Sequence, residues 1–312
     1  MLGLLVGLAP TERPVAGIYA RFLTRAAAAV NCAARQDRAK RGARGLDGAR
    51  MQVRSPRDRQ GRDAMTDFLE TSKGRKIAYA ASAGNGPGVV FLGGFMSDMQ
   101  GTKAVALEAW AQARGLGFLR LDYSGHGESE GRFEDGCIGD WAADAQEAIE
   151  TLTDGPIILV GSSMGGWISL LLAGRLGKRI AGLVGIAAAP DFTEDTMWES
   201  FSQIEQAKLM REGRIFVPSD YDSPYPVTKR LIEEGRDHLV LRRPLELPFA
   251  VRLLHGTADA DVPMSRPLAL LDHAICADMR LTFVKGADHR FSTPECLTLI
   301  EQSVAELVAL AG

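Results

Sequence analysis

From Met65 onward, short continuous apolar runs alternate with longer stretches whose apolar positions recur every three or four residues. A continuous run of four to eight apolar residues suits a strand covered on both faces, and the periodic stretches suit helices with one buried side. On this reading Lys76–Ala81, Val89–Leu92, Phe118–Asp122, Pro156–Val160 and Ile180–Ala187 are strands. Thr102–Arg114, Trp141–Leu152 and Ser169–Leu176 are helices between them. The alternation predicts an α/β fold with a mostly parallel central sheet and helices on both faces. It breaks from Pro190 to about Leu247, where Trp198, Phe201, Tyr221 and Tyr225 occur among prolines without a buried-strand run. That stretch reads as a small inserted lid. The alternation then resumes with a strand at Phe249–Leu254, a helix at Ser265–Ile275, a strand at Arg280–Val284 and a last helix at Pro294–Leu310.

Charge changes the picture only at the amino terminus. Residues 1–64 hold 13 Lys and Arg against 5 Asp and Glu, whereas the rest of the chain carries a net charge of −11. Residues 1–64 therefore read as a basic low-complexity extension, disordered or absent from the mature protein, and 65–312 as the folded domain. A transit peptide has the same Arg-rich, acid-poor composition, so the expected location is cytoplasmic, or mitochondrial if the extension is a genuine transit signal. An acidic body is a poor partner for nucleic acid. No apolar run approaches the ~18 residues of a membrane span. Cys32, Cys137, Cys276 and Cys296 are far apart and form no CxxC pair, so neither a metal site nor a disulfide framework is expected, and a reducing compartment fits.

The chemistry concentrates in three places. Gly161-Ser162-Ser163-Met164-Gly165 has the form G-x-S-x-G directly after the buried run Ile157–Val160. A serine on a sharp strand-to-helix turn needs small residues two positions either side, because side chains there would strike the neighbouring strand and helix. Asp259 follows the next-to-last strand and Asp261 is its near competitor; of the two, Asp259 is taken as the acid that orients a histidine. His289 follows the last strand, and the order Ser…Asp…His suits it as general base. The other histidines fit less well: His126 lies in a loop near the site, His238 in the lid, His255 in a strand-end turn and His273 on a helix. Gly93-Gly94-Phe95-Met96 follows the first central strand, and the backbone N–H groups of Phe95 and Met164 are the expected oxyanion hole. Met96 and Met164, with the lid aromatics, are expected to line an apolar pocket mouth, unless the aromatics simply pack the small lid against the sheet. Neither a cofactor nor a metal ion is expected.

At these residues the chain resembles the α/β-hydrolase superfamily, from about Phe68 to Leu310. A closer likeness lies in Gly94-Phe95-Met96-Ser97-Asp98-Met99, Gly101-Thr102-Lys103-Ala104, Asp122-Tyr123-Ser124-Gly125, Gly161–Trp167 and Arg252-Leu253-Leu254-His255-Gly256. These segments are similar to the family of mitochondrial palmitoyl-protein thioesterases that also act as acyl-glucuronide esterases. The resemblance implies a serine hydrolase of carboxylic esters or thioesters with Ser163, Asp259 and His289 as its triad. Its partners would be a small-molecule ester or thioester, or an acylated protein. A peptidase or carbon–carbon bond hydrolase would use the same three residues, and a non-catalytic binding protein of the same fold is a further alternative. The sequence carries no sign of an oligomeric state.

Overall fold

The structure, a computed structural model, describes residues 66–218 and 224–312. Residues 1–64, with Cys32, and Tyr221 lie outside the described residues. The body that carries the site comprises residues 66–215 and 226–312, and the stretch 216–225 is assigned to a separate unit.

Two strands, β1 (Asp67–Glu70) and β2 (Lys76–Ser82), open the sheet, followed by β3 (Gly88–Leu92), helix α1 (Thr102–Ala113) and β4 (Phe118–Leu121). Helix α2 (Ile138–Leu152), β5 (Ile157–Ser162), α3 (Met164–Leu176) and β6 (Ile180–Ile186) complete the first half. The sheet order is β1-β2-β4-β3-β5-β6-β10-β12, where β10 is Ala250–Gly256 and β12 is Met279–Val284. β1 and β2 run antiparallel to their neighbours, and every pairing from β4 through β12 is parallel. The chain is therefore an α/β-hydrolase fold with a large, mostly parallel sheet.

Parallel strands need cover on both faces because their crossovers are helices. Val89, Phe91, Ile158, Val160, Val184 and Ile186 pack on one face against Leu107 and Trp110 of α1 and against Ile300, Val304 and Leu307 of the last helix, α7 (Pro294–Ala311). Alternate residues Val90, Leu92, Leu159 and Leu183 are buried on the other face, as a period of two requires. Helices α2 and α3 supply its cover, with Trp141, Ile149, Trp167 and Leu172 fully buried.

Between β6 and β10 the chain leaves the sheet. A π-helical turn at Thr193–Trp198 leads into α4 (Gln203–Glu212), the short strands β7 (Arg214–Val217) and β8 (Tyr225–Thr228), α5 (Lys229–Gly235) and β9 (Leu245–Glu246). The strands escaped the pattern because each buries at most two residues, too few to set a period. Buried charge ties this segment down. Asp191 is fully buried with φ +58° and accepts hydrogen bonds from the N–H groups of Val240 (2.8 Å) and Leu241 (3.0 Å). Arg242 bridges Asp191 and Asp195, and Arg266 reaches Asp195 at 2.6 Å from α6 (Ser265–His273). A buried carboxylate without such donors would be strongly destabilising.

Three helix boundaries differ from expectation by two residues or more. Helix α3 begins at Met164, not Ser169, because Ser163 itself ends the turn as the helix N-cap. Helix α2 begins at Ile138, three residues before Trp141. Helix α6 stops at His273, since Ala274–Ile275 form β11 and pair with β9.

Candidate active site

The site is built from the carboxyl ends of β3, β5, β10 and β12, where open α/β sheets place their ligands. At the end of β5 the chain turns directly into α3. Ser163 occupies this corner with φ +54° and ψ −116°, a conformation L-residues adopt only when their surroundings impose it. The surroundings do so. Ser163 N–H donates to the Ile186 carbonyl at 2.9 Å, and the Ser163 carbonyl accepts from Gly166 (2.9 Å) and Ala189 (3.1 Å).

The flanking glycines have a steric cause. A Cβ at Gly161 would stand 2.3 Å from the Gly165 carbonyl oxygen and 2.5 Å from Ser169 Oγ. A Cβ at Gly165 would stand 2.1 Å from the Leu92 carbonyl oxygen on β3. Backbone, unlike a flexible side chain, has nowhere to go. Gly165→Val is expected to separate β3 from α3, to lower the melting temperature by roughly 10 °C or more, and to abolish labelling of Ser163 by a fluorophosphonate. A soluble variant with wild-type melting and labelling would contradict this packing argument.

His289 sits in the loop after β12. Its Nε2 lies 3.1 Å from Ser163 Oγ and its Nδ1 2.9 Å from Asp259 Oδ2. An ionised carboxylate only accepts, so Nδ1 carries the proton and Nε2 is free to accept from the serine hydroxyl. The Asp259 side chain is 0% exposed and that of His289 is 23% exposed. The second oxygen of Asp259 accepts from the N–H groups of Asp261 (2.9 Å) and Val262 (2.8 Å). Asp261, exposed, contributes its backbone to this turn. His255, buried at the end of β10, braces the same turn: its Nε2 is 3.0 Å from the Val262 carbonyl and 3.7 Å from Asp259. Burial lowers the His255 pKa, and the neighbouring Asp259 carboxylate opposes that shift.

The remaining histidines stand elsewhere. His238 pairs with Glu234 at 2.7 Å, and His273 meets the Arg243 carbonyl. His126 is buried between Tyr123, Phe133 and Trp141, and burial pushes its pKa down to about 4.

The Gly93–Met96 turn runs beside Ser163: a Cβ on Gly94 would be 3.4 Å from Ser163 Cβ. The Phe95 ring is held edge-on by Phe133 (4.9 Å), Phe192 (5.6 Å) and Trp141 (6.0 Å). These partners come from three separate segments, so no periodicity announces them. Met96 is 52% exposed with φ +56°. Met164 departs from expectation: the residue is wholly buried and does not line an exposed pocket mouth. Trp198 is half-buried, and Arg236 stacks over its ring at 4.8 Å.

Asp259, Asp261 and His289 offer possible metal-ligand atoms within 4.8 Å of one another. Among the described residues no helix is long and apolar enough to cross a membrane, and Cys137, Cys276 and Cys296 are free.

Residues 89–215 match the family model described as alpha/beta hydrolase fold. That span includes Ser163 but neither Asp259 nor His289. The chain is 33% identical over 243 residues to "Palmitoyl-protein thioesterase ABHD10, mitochondrial" of Rattus norvegicus, covering 77% of this chain and 82% of the relative. A solved structure from Agrobacterium vitis S4 superposes with a TM-score of 0.75 at 36% identity, covering 79% of this chain and 100% of that one. The mouse alpha/beta hydrolase domain-containing protein 10 superposes with a TM-score of 0.73 at 32% identity, covering 79% of this chain and 99% of that one. A parallel sheet that delivers Ser163 on a strained corner, together with a relative this similar over most of both chains, leads to one conclusion: the chain belongs to the α/β-hydrolase family, alongside the ABHD10 palmitoyl-protein thioesterases.

Proposed function

We propose that the protein hydrolyses carboxylic esters or thioesters through a covalent acyl-enzyme formed on Ser163, in the manner of an acyl-protein thioesterase. The observation that carries this reading is the pair of hydrogen bonds from His289, to Ser163 Oγ at 3.1 Å and to Asp259 at 2.9 Å. As Ser163 Oγ bonds to the acyl carbon, its proton passes to His289 Nε2. Asp259 stays ionised and stabilises the imidazolium. The oxyanion is received by the N–H groups of Phe95 and Met164, each such donor being worth about 3 kcal/mol in the transition state. The carbon–oxygen or carbon–sulfur bond then breaks, and the imidazolium returns its proton to the leaving group. Water repeats the sequence on the acyl-enzyme and frees the acid.

The aromatic surroundings of Phe95 and the exposed Met96 favour an apolar acyl group. Both palmitoyl-thioester and acyl-glucuronide substrates have one. With p-nitrophenyl esters from acetate to palmitate, beside acyl-cysteine peptides, kcat/KM is expected to rise at least about tenfold toward medium or long chains, since each buried methylene contributes ~0.8 kcal/mol. A flat or falling series would count against an apolar acyl site. Turnover of peptide amides but not esters would replace this reading with a peptidase. The mammalian relative named above is called mitochondrial, which favours a mitochondrial over a cytoplasmic location for this chain as well.

A further inference from the structure

The loop that carries His289 is held from outside by a side chain that takes no direct part in the proposed reaction. Lys103, in the first turn of α1, reaches across 187 positions of sequence to donate from Nζ to the carbonyl of Arg290, the residue after His289. The same peptide unit is gripped at its other end. The Phe291 N–H donates to the Asp288 carbonyl and to Asp288 Oδ1, both at 3.2 Å. Phe291 itself has φ +49°, and its ring is fully buried in the core beneath α1 and α7.

We propose that Lys103 is a positioning residue, which fixes the Arg290–Phe291 peptide plane and thereby holds the His289 imidazole on line between Asp259 and Ser163. A bulky residue in the left-handed region is strained. Rotation of the preceding peptide plane would relieve that strain by carrying φ of Phe291 toward the extended region. The plane is kept from turning because its oxygen is bound to Lys103 and its N–H to Asp288. The ring cannot follow such a rotation while it stays buried, so the backbone on the His289 side would have to move instead. Lysine suits the role: its apolar stem spans the gap from α1, and its head is a donor with no acceptor capacity.

Charge adds a pH dependence. Burial pushes the Lys103 ammonium down to about 8; Asp288 and Cys296 oppose that shift and Arg290 assists it. The charged form makes the stronger bond to a carbonyl. The tether is therefore strongest below about pH 8 and weakens as the amine loses its proton above it.

The inference rests on His289 serving Ser163, so its test carries a separate control. Wild type, Lys103→Met, Lys103→Arg and Ser163→Ala proteins are compared on one p-nitrophenyl ester between pH 6 and 10, with melting temperatures recorded. Since displacing a catalytic group by about 1 Å can cost ~100-fold, Lys103→Met is expected to lose about 10- to 100-fold in kcat with KM within about twofold. Lys103→Arg should recover most of that loss. Wild-type kcat should fall above about pH 8, whereas the arginine variant, charged throughout, should not follow that fall. Lys103→Met turning over within about twofold of wild type overturns the tether, as does a fall above pH 8 that is identical in the arginine variant. Persistent turnover in Ser163→Ala would instead remove the triad reading on which the tether depends.

Discussion

Ser163→Ala is expected to lower kcat by at least about 10³-fold while leaving the protein folded. The hydroxyl meets His289, but the turn is held by main-chain bonds: the Ser163 N–H to Ile186, and its carbonyl to Gly166 and Ala189. Alanine keeps all of these and meets the same steric cost at φ +54°. The loss is therefore expected in turnover and not in melting temperature, which should shift by only a few degrees. Steady-state hydrolysis of a p-nitrophenyl ester, with a thermal melt on the same sample, reads both quantities. Turnover near the wild-type level would mean that another group attacks the substrate.

The second large effect concerns the acid. Asp259→Asn is expected to lower kcat by roughly 10³- to 10⁴-fold, and Asp261→Asn by no more than a few-fold. The difference comes from hydrogen-bond polarity. One oxygen of Asp259 accepts from the Asp261 and Val262 N–H groups, and the other faces His289 Nδ1. An asparagine would keep its carbonyl toward the two N–H donors and turn its amide N–H toward His289. Nδ1 would then have to accept, the imidazole proton would move to Nε2, and Nε2 could no longer receive the serine proton. Asp261 is exposed and joins this arrangement through its N–H, which substitution does not remove. The two asparagine variants, assayed on one ester at the same pH, should differ by two or more orders of magnitude. The reverse ranking would mean that the wrong carboxylate has been matched to the histidine.

The central strands were legible because a parallel sheet buries both faces and leaves unbroken apolar runs, as in Val89–Leu92 and Ile157–Val160. The G-x-S-x-G turn was legible because steric necessity writes itself as glycine: Gly161 and Gly165 stand where any Cβ would strike backbone. The aromatic partners of Phe95 were not legible. Phe133, Trp141 and Phe192 lie on different segments and share no spacing with one another. Met164 misled in a simpler way, since a residue next to Ser163 can be wholly buried. Lys103 gave no sign of its partner, because a bond spanning 187 residues leaves no local pattern.

What the amino-acid order determined by itself was local: which stretches become strands or helices, and where glycine must sit for the chain to turn. Those follow from periodicity and from steric exclusion within a few residues. Tertiary structure alone decided which rings surround Phe95, and that a lysine from α1 bonds the Arg290 carbonyl beside His289. Each of these joins groups distant in sequence, and only the packing of the sheet and its helices brings them within bonding distance.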